Sequence, residues 1–179
     1  AQMMEPVEMP EMVDFKIDTV AKHWDCTGWK PGDDPSLRGV INSIFISTEE
    51  LSVHNEVLQA VYREVEANER MWETYKCEEA EIIITAFGTV ARIAKSAIDE
   101  LREEGIKVGL FPYGELAETV AADTVKAVLD VEVNEGQMLQ DVKLALNGMK
   151  PIDFFGHYGS QMPTTDEIVA KIKSMKEAM

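Results

Sequence analysis

The sequence predicts an α/β protein built around a three-layer α/β/α sandwich with a mostly parallel sheet, preceded by an extended arm and a long helix. From residue 79 onward, short apolar runs alternate with segments of helical periodicity. The run EIIITAF, residues 81–87, has Ile at three successive positions, as expected for a strand buried on both faces. Alternating strands and helices pair in parallel through right-handed crossovers, so we expect the sandwich over residues 79–179.

Residues 1–47 are predicted to form an extended arm or linker, because proline and other turn-forming residues are concentrated there. The arm contains Trp24 and Trp29, and large aromatic side chains need a surface to pack on. Either the arm folds back on the domain or it lies against a partner.

A long helix is expected after the arm. Ser47 and Glu50 have the spacing of a capping box, which marks a helix start. Apolar residues then recur from Leu51 to Trp72 at intervals that place them on one helix face. The pattern predicts a helix that runs to about Tyr75, and we assign residues 48–78 to this long connecting helix.

The remaining elements follow from periodicity and from helix-stop signals. A final helix starts at Thr164, which has Glu167 at capping-box spacing. The predicted order is a strand at 81–87, a helix from Val90 to a stop at Gly105, a strand at 107–111, a short helix at 115–122, a strand at 125–133, a helix at 138–146 closed by Gly148, a strand at 152–159 and the final helix.

Charge and cysteine content exclude several classes of function. Seventeen basic against 33 acidic residues give a net charge of −16, which disfavours nucleic acid and anionic membrane surfaces as partners. No apolar run approaches the roughly 20 residues that span a bilayer. Cys26 and Cys77 are too few for an iron–sulfur cluster, which usually needs four thiolates. We expect reduced thiols and a cytoplasmic location.

The first candidate site is the turn at Gly88 and Thr89, between a predicted strand and helix. A dinucleotide fingerprint needs G-x-G-x-x-G and a P-loop needs Gly-Lys-Ser/Thr, and neither is present there. The simpler interpretation is that Gly88 supplies a tight turn and Thr89 caps the helix. Weak anion binding at the helix N-terminus is the alternative.

The second candidate site is VEVNEGQM, residues 131–138, where a strand gives way to a helix. Glu132, Asn134 and Gln137 would supply polar groups at the carboxyl end of that strand, where ligands collect in open α/β sheets. The alternative is a satisfied turn, with Asn134 and Gly136 in special backbone conformations.

Histidine is the last candidate. His157 lies at a predicted strand end, where it could reach a phosphate or a carboxylate. The HWDC stretch, residues 23–26, offers too few ligands for zinc. No Ser–His–Asp order and no H-E-x-x-H motif appears, so we predict neither catalytic residues nor a metal site on this chain.

Several stretches together resemble one known family. They are AFGTVARIAKSAIDELREEGIKVGLF (86–111), VEVNEGQMLQDVKLAL (131–146), DFFGHYGSQMPTTDEI (153–168) and the opening QMMEPVEMPE (2–11). Nearly the whole chain is similar to the C-terminal portion of the alpha subunit of 2-oxoacid:ferredoxin oxidoreductases, in the branch that acts on 2-oxoglutarate or branched-chain 2-oxoacids such as ketoisovalerate.

The resemblance implies part of a thiamine diphosphate enzyme that decarboxylates a 2-oxoacid, reduces ferredoxin through iron–sulfur clusters and yields an acyl-coenzyme A. It implies a transketolase C-terminal-like domain at 79–179. It also implies that the arm over residues 1–47 is the linker from an N-terminal domain that is missing here. It places thiamine diphosphate, magnesium, clusters and coenzyme A in the whole complex, with none bound by this chain alone. The implied partners are the remaining alpha domain, a thiamine-binding beta subunit, a cluster-bearing subunit and ferredoxin, with a homo-oligomer as a further option.

The chain is therefore expected to be a non-catalytic domain, inactive alone, that serves subunit assembly and active-site shaping. The alternatives are a free-standing small-molecule-binding module, with its pocket near Gly88, Asn134 and His157, and a domain of a 2-oxoacid dehydrogenase beta subunit.

Two positions depart from the family pattern. The family usually has an Arg-Pro-x-Thr-Leu-type loop after Phe111, so the loop before Pro112 is either shortened or was not observed. His157 stands where the family often has Arg, which makes an anion-binding role there doubtful.

Overall fold

The computed structural model describes residues 9, 11–14, 30–35, 42–111, 116–121, 123–159 and 161–179. These residues fall into two compact units, one within Val7–Glu69 and one within Arg70–Met179. The predictions for Trp24, Trp29, the HWDC stretch and the loop after Phe111 lie outside the described residues. The arm over residues 1–47 is described only in part and stays a prediction.

Strands and helices alternate along the described chain after a first long helix. The elements are α1 (Thr48–Asn68), β1 (Ile82–Thr85), α2 (Gly88–Glu103), β2 (Val108–Leu110), α3 (Leu116–Val120), β3 (Ala127–Glu132), α4 (Gln137–Leu146), β4 (Ile152–Gly156) and α5 (Thr165–Glu177). Each element predicted after residue 78 is present, with strands shorter than the predicted runs. No helix within the described ranges is long and apolar enough to cross a membrane.

Helix α1 begins where the sequence predicts and ends earlier. The Ser47 hydroxyl accepts a hydrogen bond from the Glu50 N–H at 3.3 Å. The helix stops at Asn68, so the prediction that it reaches Tyr75 is wrong. Tyr75 instead forms an antiparallel bridge with Leu110, in which the two residues exchange backbone hydrogen bonds of 3.0 and 2.8 Å. Pairing with the sheet edge overrides the helical pattern of residues 69–75.

The four strands form one parallel sheet in the order β2-β1-β3-β4. Ile82 is in register with Val108 on one side and with Ala127 on the other. Asp130 is in register with Thr85 of β1 and Phe154 of β4. The prediction of a mostly parallel sheet is confirmed.

Helices cover both faces of this sheet, which confirms the three-layer prediction. Ile82 and Ile84 point into a core shared with α2 and α5, whereas Ile83 points into a second core shared with α3 and α4. All three isoleucines are essentially inaccessible to solvent. Full burial of such a side chain stabilises the fold by about 1.5–3 kcal/mol, which explains three isoleucines in succession.

The strand order places a topological switch point between β1 and β3. The chain leaves β1 toward one edge through α2 to β2, and leaves β3 toward the other edge through α4 to β4. The loops after β1 and β3 therefore diverge at the carboxyl end of the sheet, where open α/β sheets bind ligands. All the predicted site residues lie at or next to this end.

Candidate functional site

We define the carboxyl edge of the sheet as the segments that follow three of its strands. These are residues 86–88 after β1, 133–136 after β3 and 157–159 after β4. Because parallel strands end on the same side of a sheet, this edge gathers Gly88, Asn134 and His157, with Thr89 and Gln137 just beyond it. Whether they form a site depends on which of these side chains share a common space.

Gly88 provides the turn that the sequence predicts, but Thr89 does not cap the helix. Gly88 has φ of +60°, a left-handed conformation that suits glycine. The N-cap residue of α2 is Phe87, whose extended backbone carries no side-chain cap hydrogen bond. Thr89 lies inside the first turn of α2, so the predicted capping role for it is wrong.

A cavity of about 210 Å³ lies at the switch point. Phe87, Gly88 and Thr89 line it on one side, and Val131 and Val133 line it on the other, with Met162 and Glu132 completing the wall. Ligand pockets usually measure about 300–1,000 Å³ and place several convergent polar groups. This cavity is small and mostly apolar, and Asn134, Gln137 and His157 are not among the residues that line it.

Asn134 forms a turn that starts α4. Its side-chain oxygen accepts the backbone N–H groups of Gly136 and Gln137, both at 2.8 Å. Its amide nitrogen donates to Glu132 at 2.9 Å. Gly136, at the N-cap, has φ of +94°. These contacts match the alternative in which the segment is a satisfied turn, and they use both ends of the Asn134 amide. Gln137 is exposed at the first position of α4.

Glu132 is a buried carboxylate at the start of α4. It is 2% exposed and accepts the N–H groups of Met138 and Leu139, each at 3.0 Å, besides the Asn134 amide. Burial alone would raise the pKa of Glu132. The hydrogen bonds from Met138, Asn134, Asp130 and Leu139 outweigh burial and hold that pKa below its ordinary value. The carboxylate therefore anchors the positive end of α4.

A second buried acid, Asp130, escaped the sequence analysis. The Thr85 hydroxyl of β1 donates to Asp130 Oδ1 at 2.7 Å, and both residues are fully buried. Burial raises the pKa of Asp130 to about 7, with the hydrogen bond and charge of Glu132 adding to the rise and Thr85 opposing it. The available signal was a pair of acids at alternate positions of an otherwise apolar strand, AVLDVE.

His157 contacts the last helix rather than the switch-point cavity. Its Nε2 lies 3.3 Å from Glu167 Oε1, and its ring packs edge-on against Phe155 at 5.2 Å between centroids. Glu167 also forms the capping box of α5 with Thr164. His157 therefore supports the connection between β4 and α5, and the structure does not bring it together with Gly88 and Asn134 in one pocket.

The carboxyl edge also exposes large apolar side chains that sequence reasoning missed. Trp72, Phe87 and Leu110 line a groove of about 320 Å³ together with Met71. We call Met71, Trp72, Phe87, Val133 and Tyr158 the apolar edge. Their exposed fractions are 92%, 39%, 60%, 41% and 65%. Phe87, Val133 and Tyr158 follow β1, β3 and β4 by one or two residues, so these three lie at the same end of the sheet, and Met71 and Trp72 line the groove beside Phe87.

The described residues offer little to a metal ion. They contain no group of three or more His, Cys, Asp or Glu side chains placed to hold one. Cys77 is half-buried, and its thiol donates to the Leu110 carbonyl at 3.0 Å. Burial raises the pKa of this thiol, which keeps it protonated and unreactive.

Comparison with known proteins identifies relatives over most of the chain. Residues 80–168 match the family described as pyruvate:ferredoxin oxidoreductase core domain II. The ketoisovalerate oxidoreductase subunit VorB of Methanothermobacter marburgensis is 33% identical over 97% of this chain and 49% of its own length. The 2-oxoglutarate synthase subunit KorA of the same organism is 30% identical over 55% of this chain and 28% of its own length. The chain thus spans about half the length of the VorB relative.

A solved structure has the same fold. It is described as 2-oxoglutarate:ferredoxin oxidoreductase from Magnetococcus marinus with 2-oxoglutarate, coenzyme A and succinyl-CoA bound. The match has a TM-score of 0.60 at 23% identity and covers 76% of this chain and 24% of that one. The matched family domain contains residues 86–111, 131–146 and 153–168, which carry the resemblance in sequence.

Proposed function

Since the chain belongs to the 2-oxoacid:ferredoxin oxidoreductase family and contains its core domain II, we propose that it is a non-catalytic part of an alpha subunit, which serves subunit assembly and shapes one wall of the active site. The reaction proposed for the whole enzyme is oxidative decarboxylation of a 2-oxoacid to an acyl-coenzyme A with reduction of ferredoxin. Ketoisovalerate and 2-oxoglutarate are the candidate substrates, because VorB and KorA carry those names.

The apolar edge is the observation that supports an assembly role. Single exposed apolar residues are normal on a protein surface, but contiguous groups of them mark interaction sites. In this chain five large side chains lie along the end of one sheet, and tryptophan, tyrosine and phenylalanine are enriched in interface cores. A surface of this kind fits a domain that is covered by another body in the complete enzyme.

Neither an iron–sulfur cluster nor a magnesium ion fits the described residues of this chain. An iron–sulfur cluster usually needs four thiolates, and the sequence has two cysteines, of which Cys77 is engaged with a backbone carbonyl. Magnesium needs a cluster of oxygen ligands, and the described part of the chain offers no group of three or more His, Cys, Asp or Glu side chains placed to hold it. We therefore assign no chemical step to this chain.

The proposed partners are the remaining N-terminal part of the alpha subunit, a thiamine-binding beta subunit, a cluster-bearing subunit and ferredoxin, in the cytoplasm. Thiamine diphosphate, magnesium, the clusters and coenzyme A are proposed to be held by those other parts.

Reconstitution tests the proposal. The chain alone should show no 2-oxoacid-dependent dye reduction, and activity should return when it is combined with the remaining parts of the complex. Tyr158→Ser should weaken that combination at least about tenfold, because it removes an exposed aromatic side chain from the apolar edge. Leu144→Ser is the matched control, since Leu144 is 78% exposed on α4 and does not belong to the apolar edge.

Several outcomes would contradict the proposal. Dye reduction by the chain alone would place catalysis within it. Equal loss of binding in Tyr158→Ser and Leu144→Ser would show that the apolar edge is not the contact surface. Tight binding of 2-oxoglutarate to the isolated chain would favour the free-standing binding module, with the switch-point cavity as its site.

A further inference from the structure

Two acidic side chains lie side by side in the carboxyl half of β3. Asp130 is fully buried and Glu132 is 2% exposed. Residues two apart in a strand point to the same face of the sheet, so both carboxyl groups lie on the side covered by α3 and α4, as Val128 does. Buried acids of this kind need hydrogen-bond donors or a proton, because the core does not solvate charge.

The donors around this pair are unequally divided. Glu132 receives three, the N–H groups of Met138 and Leu139 and the Asn134 amide. From the described part of the chain Asp130 receives one, the Thr85 hydroxyl on Oδ1. Its other oxygen, Oδ2, has no donor among the described residues. A carboxylate oxygen without a donor in a buried position is costly, and protonation of that oxygen removes the cost.

No cation among the residues that the structure describes offsets the negative charge of this pair. From β1 the facing group is the Thr85 hydroxyl, and from β4 the register partner of Asp130 is Phe154. On α3 and α4 the residues facing the sheet are apolar, Leu116, Val120, Val142 and Leu146. Glu135, Asp141 and Lys143 are exposed to solvent. The His157 side chain lies against Glu167.

We propose that Asp130 and Glu132 share one proton, carried on Asp130 Oδ2 and donated to the Glu132 carboxylate, and that its loss loosens the start of α4. Without the proton, two negative charges would face each other in the core. Asp130 is held by Thr85 on β1, whereas Glu132 is held by the first amides of α4. Separation of the two carboxylates therefore pulls Glu132 away from Met138 and Leu139. The pair thus acts as a pH-dependent lock: while the shared proton is present, it holds the loop between β3 and α4 in place.

The pKa values of the two carboxyl groups support the placement of the shared proton on Asp130. The pKa of Asp130 is raised to about 7 while that of Glu132 is held below its ordinary value, so the proton resides on Asp130 up to neutral pH. A group with that pKa changes charge within the physiological range. The lock uses only groups inside this domain and is independent of the proposed role in assembly.

Carboxyl NMR of the full chain tests the lock. The side-chain carbons of Asp and Glu would be labelled with carbon-13 and titrated from about pH 4 to about pH 9. We expect one Asp resonance with a midpoint near pH 7, assigned to Asp130 by its disappearance in Asp130→Asn. In Glu132→Gln that midpoint should fall by at least about one pH unit, a tenfold loss of proton affinity. Asp141→Asn, on the exposed face of α4, should leave it unchanged.

Amide exchange supplies the second readout. The protection factors of the Met138 and Leu139 amides should fall at least about fivefold as Asp130 ionises, while that of Leu146 at the far end of α4 stays constant. The proposal is overturned if Asp130 titrates near pH 4, if Glu132→Gln leaves the midpoint where it is in the wild type, or if the protection of the Met138 and Leu139 amides does not follow the titration. Where Asp130→Asn fails to fold, the Asp resonance whose midpoint falls in Glu132→Gln is assigned to Asp130, and its wild-type midpoint decides the matter.

Discussion

Gly109 must lack a side chain, because another part of the backbone packs directly against it. The backbone of residues 76–77 crosses β2 at this point, and a Cβ on Gly109 would lie 2.7 Å from the Lys76 carbonyl oxygen and 2.8 Å from Cys77 Cα. Both are backbone atoms and cannot rotate away. The crossing segment is also held by the Tyr75–Leu110 bridge and by the Arg102 guanidinium, which donates to the Lys76 carbonyl at 2.5 Å and to the Val108 carbonyl of β2 at 2.8 Å.

Gly109→Ala should therefore destabilise the chain by about 1–3 kcal/mol, the usual cost of inserting a methyl group into a filled space. The loss should come with faster amide exchange at Tyr75 and Leu110, because the crossing segment must move. Gly148→Ala is the control: its Cβ meets nothing within 4 Å, and its cost of about 1 kcal/mol comes from φ of +80° alone. Chemical denaturation and hydrogen exchange would measure both effects. Unchanged exchange at Tyr75 in Gly109→Ala would contradict this account.

Asp130 gives the folding stability a specific pH dependence. Its pKa is about 7 in the folded chain and about 3.9 in an unfolded one. Between these values the folded state binds more protons than the unfolded state, so the free energy of unfolding decreases as pH rises from about 4 to about 7, by roughly 2–4 kcal/mol. Glu132, with its lowered pKa, contributes stability that is present above its unfolded pKa of about 4.3 and is lost as pH falls further.

Asp130→Asn should remove most of the decrease in the free energy of unfolding between about pH 4 and about pH 7. Urea denaturation at several pH values would measure the slope, with Asp141→Asn as the exposed-acid control. An identical slope in wild type and in Asp130→Asn would show that another group causes the pH dependence.

At the scale of single elements, the two main helices of one face start differently. Helix α5 has a full capping box, in which the Thr164 hydroxyl accepts the Glu167 N–H and the Glu167 carboxylate accepts the Thr164 N–H at 2.9 Å. Helix α2 starts at Phe87 without a side-chain cap. Both N-cap residues have extended backbones, so the difference lies in their side chains.

Thr164→Ala should destabilise the chain by about 1 kcal/mol, because it removes the cap acceptor and leaves the Glu167 N–H without it. Thr89→Ala is the matched control: Thr89 lies within the first turn of α2 and does not cap it, so its loss should change stability by less than about 0.5 kcal/mol. Thermal denaturation of both variants measures this. A larger effect at Thr89 than at Thr164 would reverse the assignment of the caps.

These elements also show what the sequence could and could not predict. The capping box of α5 and the turn at Asn134 were predictable, because each rests on residues within a few positions of one another. The early end of α1 was not, since it depends on Tyr75 pairing with Leu110, 35 positions away. The Asp130–Thr85 hydrogen bond also needed the register of β1 with β3. The apolar edge likewise depended on knowing where each strand ends.

At the scale of the whole molecule, an acidic chain carries an apolar edge. With a net charge of −16, copies of the chain repel one another, which opposes non-specific association. The apolar edge provides a surface for one partner of complementary shape. Two helix starts are satisfied by side chains of the chain itself: Glu132 and Asn134 accept N–H groups at the start of α4, and Thr164 and Glu167 form the capping box of α5. The side chains left toward solvent at the carboxyl edge include Phe87, Val133 and Tyr158.

Phe87 affects both its own helix and the exposed surface. It is a poor N-cap for α2 and a member of the apolar edge. Its extended backbone, with φ of −138° and ψ of 165°, suits a capping residue. Phe87→Ser should therefore raise the stability of the chain by about 0.5–1 kcal/mol, since a serine hydroxyl can accept an N–H of the first turn. The same change should weaken binding to the rest of the enzyme at least about tenfold, because it deletes an exposed aromatic side chain.

Denaturation and a binding titration on the same preparation would measure both effects, and Leu144→Ser would serve as the control for loss of an exposed apolar residue elsewhere. A gain in stability with unchanged binding would remove Phe87 from the contact surface. A loss of both stability and binding would mean that Phe87 stabilises the fold itself through the switch-point cavity that it lines. Opposite changes in the two quantities are what we expect of a residue kept for assembly at a cost to the stability of its own helix.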